Sequence, residues 1–369
     1  EGTMDFSLIP LLVVAGISVA LALVIVIVEK LVIKAGPVTL KLNEAAPKEI
    51  EGGGSLLGAL KDEGVLVPSA CGGRGSCGMC KVKVLEGGGK ILATEAPHLT
   101  DEEQEGNIRL SCQIKVRENL VVEVPSGLLD IEEYEVLVTG AEPLNHDTMR
   151  VTLTFEEGVE FSFRSGQYVQ LETPIYDGLP APTQRAYSIA SPPQEKNYID
   201  LIIRRVKRGV ATTFVHDLIE VDDELTLSGP YGYFYLRETP AEAIFIAGGS
   251  GLAPFEAILA DMAARNIAKK VTLIFGAVNG DDLYDVEKMR GYEREIPNFR
   301  YVPALSSPRE EDNWEGEVGL VTEVAGRLFE SMEGMEGYLC GGPGMIDACI
   351  KEMTNRGIKE KDIYYDKFT

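Results

Sequence analysis

The chain has 369 residues, 45% hydrophobic and 25% charged, a length and balance that describe two or three globular domains with large cores and exclude a disordered chain. Its formal net charge of -23 argues against nucleic acid as a partner, because phosphate binding needs a basic surface.

Phe6 to Val28 run for 23 residues without a charge, enough at about 1.5 Å per residue to span a bilayer core of about 30 Å. A cleaved signal peptide would want positive charge ahead of a shorter apolar run, whereas Glu1 and Asp5 precede this one. The run therefore predicts a single-pass transmembrane anchor over residues 5–34. Lys30 and Lys34 follow the span and no Lys or Arg precedes it. By the positive-inside rule the chain sits in the cell inner membrane with its soluble domains on the cytoplasmic side.

Alternation at Val38, Leu40 and Leu42 predicts a strand, Ser55 the N-cap of a short helix that Gly64 ends, and Val82 and Val84 a further strand. Between helix and strand stands "CGGRGSCGMC", a C-x5-C-x2-C arrangement with Cys112 as a distant fourth thiol. Grouped thiols serve disulfides, zinc or an iron–sulfur cluster. A reducing compartment disfavours disulfides. Zinc sites use two C-x2-C pairs or one pair with two histidines, and the histidines here are the scattered His98, His146 and His216. A [2Fe-2S] cluster needs four thiolates in a loop whose backbone amides approach the sulfides, which Gly72, Gly73, Gly75 and Gly78 permit. The stretch resembles the plant-type ferredoxin domain, with a first spacing of five rather than four. That resemblance implies Cys71, Cys77, Cys80 and Cys112 as cluster ligands in an α+β β-grasp domain over residues 36–130.

Around Ser126 to Glu133 apolar patterning gives way to Gly127, Asp130, Glu132 and Glu133, a junction. Alternating runs at Tyr134 to Val138, Met149 to Phe155 and Tyr198 to Ile203 then predict an antiparallel β-barrel over residues 134–238. Within it "RAYSIAS" offers Arg185 to a phosphate, Tyr187 to a flat heterocycle and Ser188 to a ring nitrogen. Taken alone it reads rather as a strand with one exposed Arg and a half-buried Tyr. "GVATTF" follows, with helix N-terminal amides and the Thr212 or Thr213 hydroxyl for a pyrophosphate, and then "SGPYGYF". Together these resemble the ferredoxin–NADP reductase superfamily, which implies FAD held by Arg185, Tyr187, Ser188, Gly209, Val210 and Thr212. His216 reads as structural, and Arg204 and Arg205 stay ambiguous between a ligand role and the solubilising charges of an exposed strand edge.

"AIFIAGGSGLAPF", residues 243–255, and "VTLIFGAV", residues 271–278, form a βαβ pattern whose glycine turn suits a dinucleotide phosphate. The turn is not G-x-G-x-x-G. Its G-G-S-G-x-x-P, ending in Pro254, and "YLCGGPGM" further on match the nicotinamide domain of the same superfamily. The match implies an α/β Rossmann-like NAD(P)H-binding domain over residues 239–369, with Gly248, Gly249, Gly251, Pro254 and Gly341 at the cofactor and Cys340 beside the nicotinamide. In this superfamily a C-terminal aromatic covers the flavin until nicotinamide displaces it, which implies Phe368, with Tyr365 next. Ser188, Cys340 and Phe368 are the expected catalytic residues. Arg309 suits a 2′-phosphate, whereas Asp281 and Asp282 suit a free ribose hydroxyl and point to NADH.

The order of anchor, ferredoxin, FAD and NAD domains, with "EDNWEGEVG" and the terminal "IYYDKFT", resembles the NADH-oxidising subunits of sodium-translocating NADH:quinone oxidoreductases. The resemblance implies hydride transfer from NADH to FAD, single electrons to the [2Fe-2S] cluster, and onward transfer to other membrane subunits of a quinone-reducing complex. A membrane-tethered NAD(P)H reductase feeding an oxygenase or another soluble acceptor is the alternative.

Overall fold

The computed structural model describes residues 8–32, 36–177 and 179–368. By its internal contacts the chain divides into two units, one of residues up to Val67 with Gly73–Asp130, the other of Pro68–Gly72 with Ile131 onward.

The first unit opens with helix α1 (Leu8–Val32). Leu11, Leu12, Val13, Val14, Ile17, Val19, Leu21, Leu23 and Val24 on it are all exposed. Of the anchor expected over residues 5–34, residues 5–7 and 33–34 lie outside the described residues, and within α1 the side chains of 10–24 are described. Among the described residues no helix is long and apolar enough to cross a membrane.

Then come β1 (Pro37–Leu42), β2 (Lys48–Glu51), α2 (Leu56–Asp62), β3 (Lys81–Glu86), α3 (Asp101–Glu105), β4 (Ile108–Leu110) and β5 (Leu120–Glu123). The sheet order is β2-β1-β5-β3-β4; β1 runs parallel to β5 and the other pairs are antiparallel. Alternation puts Val38, Leu40, Val82, Val84, Leu120 and Val122 on one face, where they close over Leu56 and Leu60 of α2. A mixed sheet curled round one helix is a β-grasp. Ser55 caps α2 as its position predicts, its Oγ accepting from Gly58 N at 3.2 Å, a contact worth about 1 kcal/mol. Gly64, at φ +81°, supplies the left-handed residue that ends the helix.

The second unit begins with β6 (Glu132–Pro143), β7 (Thr148–Phe155), β8 (Tyr168–Thr173), β9 (Thr183–Ser188), β10 (Tyr198–Arg204), α4 (Val210–Asp217) and β11 (Glu224–Tyr231). These strands make an antiparallel sheet in the order β10-β7-β6-β11-β8-β9. It curls until its two edges meet at the antiparallel bridge Ile189–Leu201, a barrel-like form around Val138, Val151, Leu153, Phe161, Val169 and Leu227.

The remaining elements are β12 (Ala243–Gly248), α5 (Ala253–Ala264), β13 (Val271–Ala277), α6 (Val286–Glu295), β14 (Phe299–Leu305), β15 (Glu317–Val318), α7 (Val321–Leu328), β16 (Glu336–Gly341), α8 (Pro343–Asn355) and β17 (Ile363–Lys367). The six strands form a parallel sheet ordered β15-β14-β13-β12-β16-β17. Its interior strands are buried on both faces, which explains their unbroken apolar runs. Phe245, Phe275 and Tyr338 face a cluster that includes Phe255 of α5 and Met289 of α6. Ile244, Ile246, Ile274 and Leu339 face Val324 of α7 and Ile346 and Met353 of α8.

Candidate active site

Cys80 immediately precedes β3 and Cys112 closely follows β4. The pairing of these strands places the two thiols in hydrogen-bond contact. That bond, and then burial, pushes the Cys80 thiol far above its ordinary range. The Cys80 carbonyl accepts from Ser111 N at 2.9 Å and from Ser111 Oγ at 3.0 Å. Cys112 Sγ accepts from Gln113 Nε2 at 3.4 Å. Cys71 is buried and Cys77 half-buried. Gly72, Gly73, Gly75 and Gly78 all have positive φ, a conformation that turns successive amides toward a bound anion without Cβ clash. Two paired thiols on strand ends and a glycine loop of this kind are features a cluster site uses, while among the described residues no three or more His, Cys, Asp or Glu are gathered as a metal site. Sequence reasoning missed what anchors β4: Arg109 and Glu95 form a buried ion pair at 2.7 Å, and Glu95 also accepts from Leu92 N and Leu110 N. No local pattern announces a pair 14 residues apart.

In the barrel, β9 carries Arg185 and Tyr187 on one face and Ser188, the next residue, on the other. Arg185 Nη1 donates to Gln184 O at 2.7 Å and to Thr183 Oγ1 at 3.2 Å. The Tyr187 ring is half-buried, while its hydroxyl is fully buried and has no partner among the described residues. Burial pushes that phenol well above its ordinary pKa. An orphaned buried hydroxyl beside Ser188 is what a flavin-binding strand should show. Gly209 is the N-cap of α4 and Val210 its first residue, the Val210 carbonyl accepting from Tyr176 Oη at 2.8 Å. Thr212 Oγ1 turns back onto its own loop, accepting from Val206 N at 3.1 Å and donating to Gly209 O at 3.2 Å, while the Thr213 side chain is half-buried. His216 is structural, its Nε2 contacting Ile203 O at 3.1 Å. Arg204 pairs with Asp147 at 2.7 Å and Arg205 with Asp217.

In the parallel sheet, Gly248 ends β12 and Gly249 to Leu252 form a single 3-10 turn before α5, with Pro254 buried in the helix's first turn. Gly251 lies so close to Cys340 O and Gly341 N that any Cβ would overlap backbone, so the turn and the end of β16 interlock. Gly248 and Gly249 line a crevice of about 260 Å³ at the carboxyl end of the strands, with Arg204, Asp147, Asp282, Ser306 and Met345.

Pairing of β17 with β16 sets Asp366 opposite Cys340, and Phe368 N donates to Gly341 O at 3.0 Å. Alternation along β17 puts Tyr364 and Phe368 against the cluster that holds Cys340 and leaves Tyr365 exposed on the other side. Ser188 Oγ donates to Asp366 Oδ2 at 3.5 Å. Burial pushes the Asp366 carboxyl up to about 6, against the opposing pull of Ser188, and burial followed by Asp366 pushes the Cys340 thiol well up. Ser188, Cys340, Asp366 and Phe368 thus meet. Asp366 escaped the sequence reading because it lies 178 residues from Ser188.

A second unforeseen network joins barrel and sheet. Arg150 of β7 pairs with Asp285 at 2.6 Å and with the fully buried Glu256 of α5 at 3.2 Å; Lys288 reaches Glu256 at 2.6 Å. Burial, opposed by Lys288 and Arg150, pushes the Glu256 carboxyl up to about 7. At the sheet's other edge, Trp314 Nε1 donates to Glu317 O at 2.9 Å.

Residues 43–117 match the 2Fe-2S iron-sulfur cluster binding domain, residues 135–235 the oxidoreductase FAD-binding domain and residues 245–351 the oxidoreductase NAD-binding domain. The chain is thus an iron–sulfur flavoprotein oxidoreductase whose cofactors are a [2Fe-2S] cluster, FAD and NADH. Among solved structures it is similar to the Amycolatopsis cytochrome P450 reductase GcoB (TM-score 0.73, 30% identity, 90% of this chain and 99% of that one). It is also similar to the ferredoxin reductase in carbazole 1,9a-dioxygenase (TM-score 0.70, 27% identity, 90% and 99%). The F subunit of the Na(+)-translocating NADH-quinone reductase of Neisseria gonorrhoeae is 35% identical over 392 residues, covering 95% of this chain and 96% of the relative. Its counterpart in Actinobacillus succinogenes is 34% identical over 395 residues, covering 96% of each. The end-to-end extent of this identity shows that the chain belongs to the family of Na(+)-translocating NADH-quinone reductase F subunits.

Proposed function

We propose that this chain is the NADH-oxidising, electron-entry subunit of a membrane complex that reduces quinone. The observation that carries the reading is the match along 95% of the chain to subunits of that name, with all three cofactor domains in order. The chemistry its cofactors supply when bound is the conversion of a hydride's electron pair into single electrons.

The chain's own residues bind and orient. Cys71, Cys77, Cys80 and Cys112 hold the cluster. Arg185 and the α4 N-terminus at Gly209 and Val210 hold the FAD phosphates, with Thr213 the freer hydroxyl because Thr212 is spent on its own loop. Tyr187 and Ser188 face the flavin ring. Gly248 and Gly249 line the crevice that would take NADH, Gly251 and Pro254 fix the turn behind it, and Cys340 and Gly341 would lie beside the nicotinamide. Asp366 accepts from Ser188 Oγ, and Phe368 would lie against a bound flavin ring on the face a nicotinamide would need. Hydride transfer needs no protein acid or base, and the site's work is to align two rings and keep water out.

The apolar, outward-facing side chains of α1 support a single-pass anchor in the inner membrane over residues 5–34, ahead of a ferredoxin domain over 36–130, an FAD domain over 134–238 and an NAD domain over 239–369, on the cytoplasmic side. A second reading, a tethered NAD(P)H reductase feeding an oxygenase, draws on the likeness to the P450 and carbazole-dioxygenase reductases. Purification of the chain from native membranes in mild detergent decides between them. Co-isolated membrane subunits with NADH-dependent quinone reduction are expected, and an oxygenase as the isolated partner would replace this reading with the second.

A further inference from the structure

We propose that Asp281 and Asp312 set the preference for NADH by holding Arg309 closed: the arginine is a masked receptor for a 2′-phosphate, and the carboxylates that occupy it repel that group. The inference rests on reading residues 239–369 as the nicotinamide-binding domain.

Arg309 lies four residues beyond β14, and Asp281 lies in the Gly280–Asp282 turn after β13. These are the carboxyl ends of neighbouring parallel strands, where sheets of this type receive nucleotides and where an acid or an arginine decides between ribose hydroxyl and phosphate. The same two segments contribute Asp282 and Ser306 to the crevice beside Gly248 and Gly249.

An arginine so placed would ordinarily serve a phosphate. Here both of its terminal nitrogens are taken. Arg309 Nη2 pairs with Asp281 Oδ2 at 2.8 Å and with Asp312 Oδ1 at 2.9 Å, and Nη1 with Glu311 Oε1 at 3.1 Å. The clasp leaves Arg309 Nε buried without a partner among the described residues. Three carboxylates around one guanidinium leave the corner negative. Asp312 is built in, only 5% exposed, its Oδ2 also accepting from Gly280 N at 3.1 Å and Arg309 N at 2.7 Å. The Asp281 side chain is 67% exposed and forms the removable half of the clasp. A 2′-phosphate would have to displace it and then face the remaining carboxylates. A ribose hydroxyl brings no charge and can donate to a carboxylate.

The test measures kcat/KM for NADPH over NADH, with ferricyanide as acceptor, in the full-length FAD-loaded protein and in Asp281→Asn, Arg309→Ala and the double variant. Asp281→Asn should raise the ratio by about tenfold or more, since the freed guanidinium gains a charge-assisted phosphate contact. Arg309→Ala should not raise it, and the double variant should fall back to the ratio of Arg309→Ala alone. An unchanged ratio in Asp281→Asn overturns the proposal. So does a gain that survives in the double variant, which would show repulsion without a receptor. Failure of the FAD-loaded wild type to oxidise NADH at all would instead sink the domain reading beneath it.

Discussion

At the scale of single residues the consequential group is Asp366, a carboxyl packed beside Ser188 and opposite Cys340. Its pKa of about 6 in the fold lies above the ordinary carboxylate value of about 4. The proton it retains therefore stabilises the fold fully below about pH 4, and that contribution is lost as pH rises through 6. Asp366→Asn keeps the shape and removes the titration. In thermal unfolding from pH 5 to 8 the wild type should lose more stability than the variant, the gap in Tm being roughly 2–4 °C; parallel curves would mean that the carboxyl is not held up. Single residues also show where the sequence was legible. Ser55 and Gly64 announced their helix because a cap and a left-handed stop are local devices. The ion pairs Arg109–Glu95 and Arg150–Glu256 announced nothing, because partners supplied by the fold leave no spacing to read.

At the scale of elements, β17 is the edge strand that brings Asp366 and Phe368 to Ser188 and Cys340. Among the described residues only β16 pairs with it, so Tyr364 and Asp366 are placed by register and Phe368, just beyond the strand, by its bond to Gly341 O. The sequence offered Phe368 and Tyr365 as rival covers; alternation along β17 leaves Tyr365 half-exposed and puts Phe368 on the face of Cys340. If Phe368 covers the ring, removing it should favour the competitor for that surface. An aromatic contact is worth about 0.5–1.5 kcal/mol beyond its buried area, so Phe368→Ala should bind a nicotinamide analogue more tightly, by up to roughly tenfold. Titration followed by absorption checks this, and equal affinity in both proteins would remove the covering role. Strands such as β12 and β13 were legible for the opposite reason. Burial on both faces writes itself into the sequence as an apolar run, and the glycine turn after β12 marks where the run must stop for backbone to approach Cys340.

At the scale of the whole molecule, the cores are built separately: one holds Leu56, Val82 and Leu110, another Val151 and Val169, and two more flank the parallel sheet. Loss of the cluster should therefore leave the flavin domain standing. Cys80→Ala should abolish iron–sulfur absorption while FAD content and NADH oxidation with a two-electron acceptor stay within about twofold of wild type. Loss of FAD along with the cluster would show that the domains fold as one. The loop leading into β15 holds the chain's single tryptophan, Trp314, tied to the Glu317 carbonyl and only a few residues from Arg309. Intrinsic tryptophan emission from this protein is therefore a local gauge. It registers melting or ligand-induced movement near one sheet edge, and release of a bound flavin, whose absorption overlaps indole emission, would change its intensity with no melting there, so a fluorescence trace has to be read beside flavin and iron–sulfur absorbance before it is called unfolding.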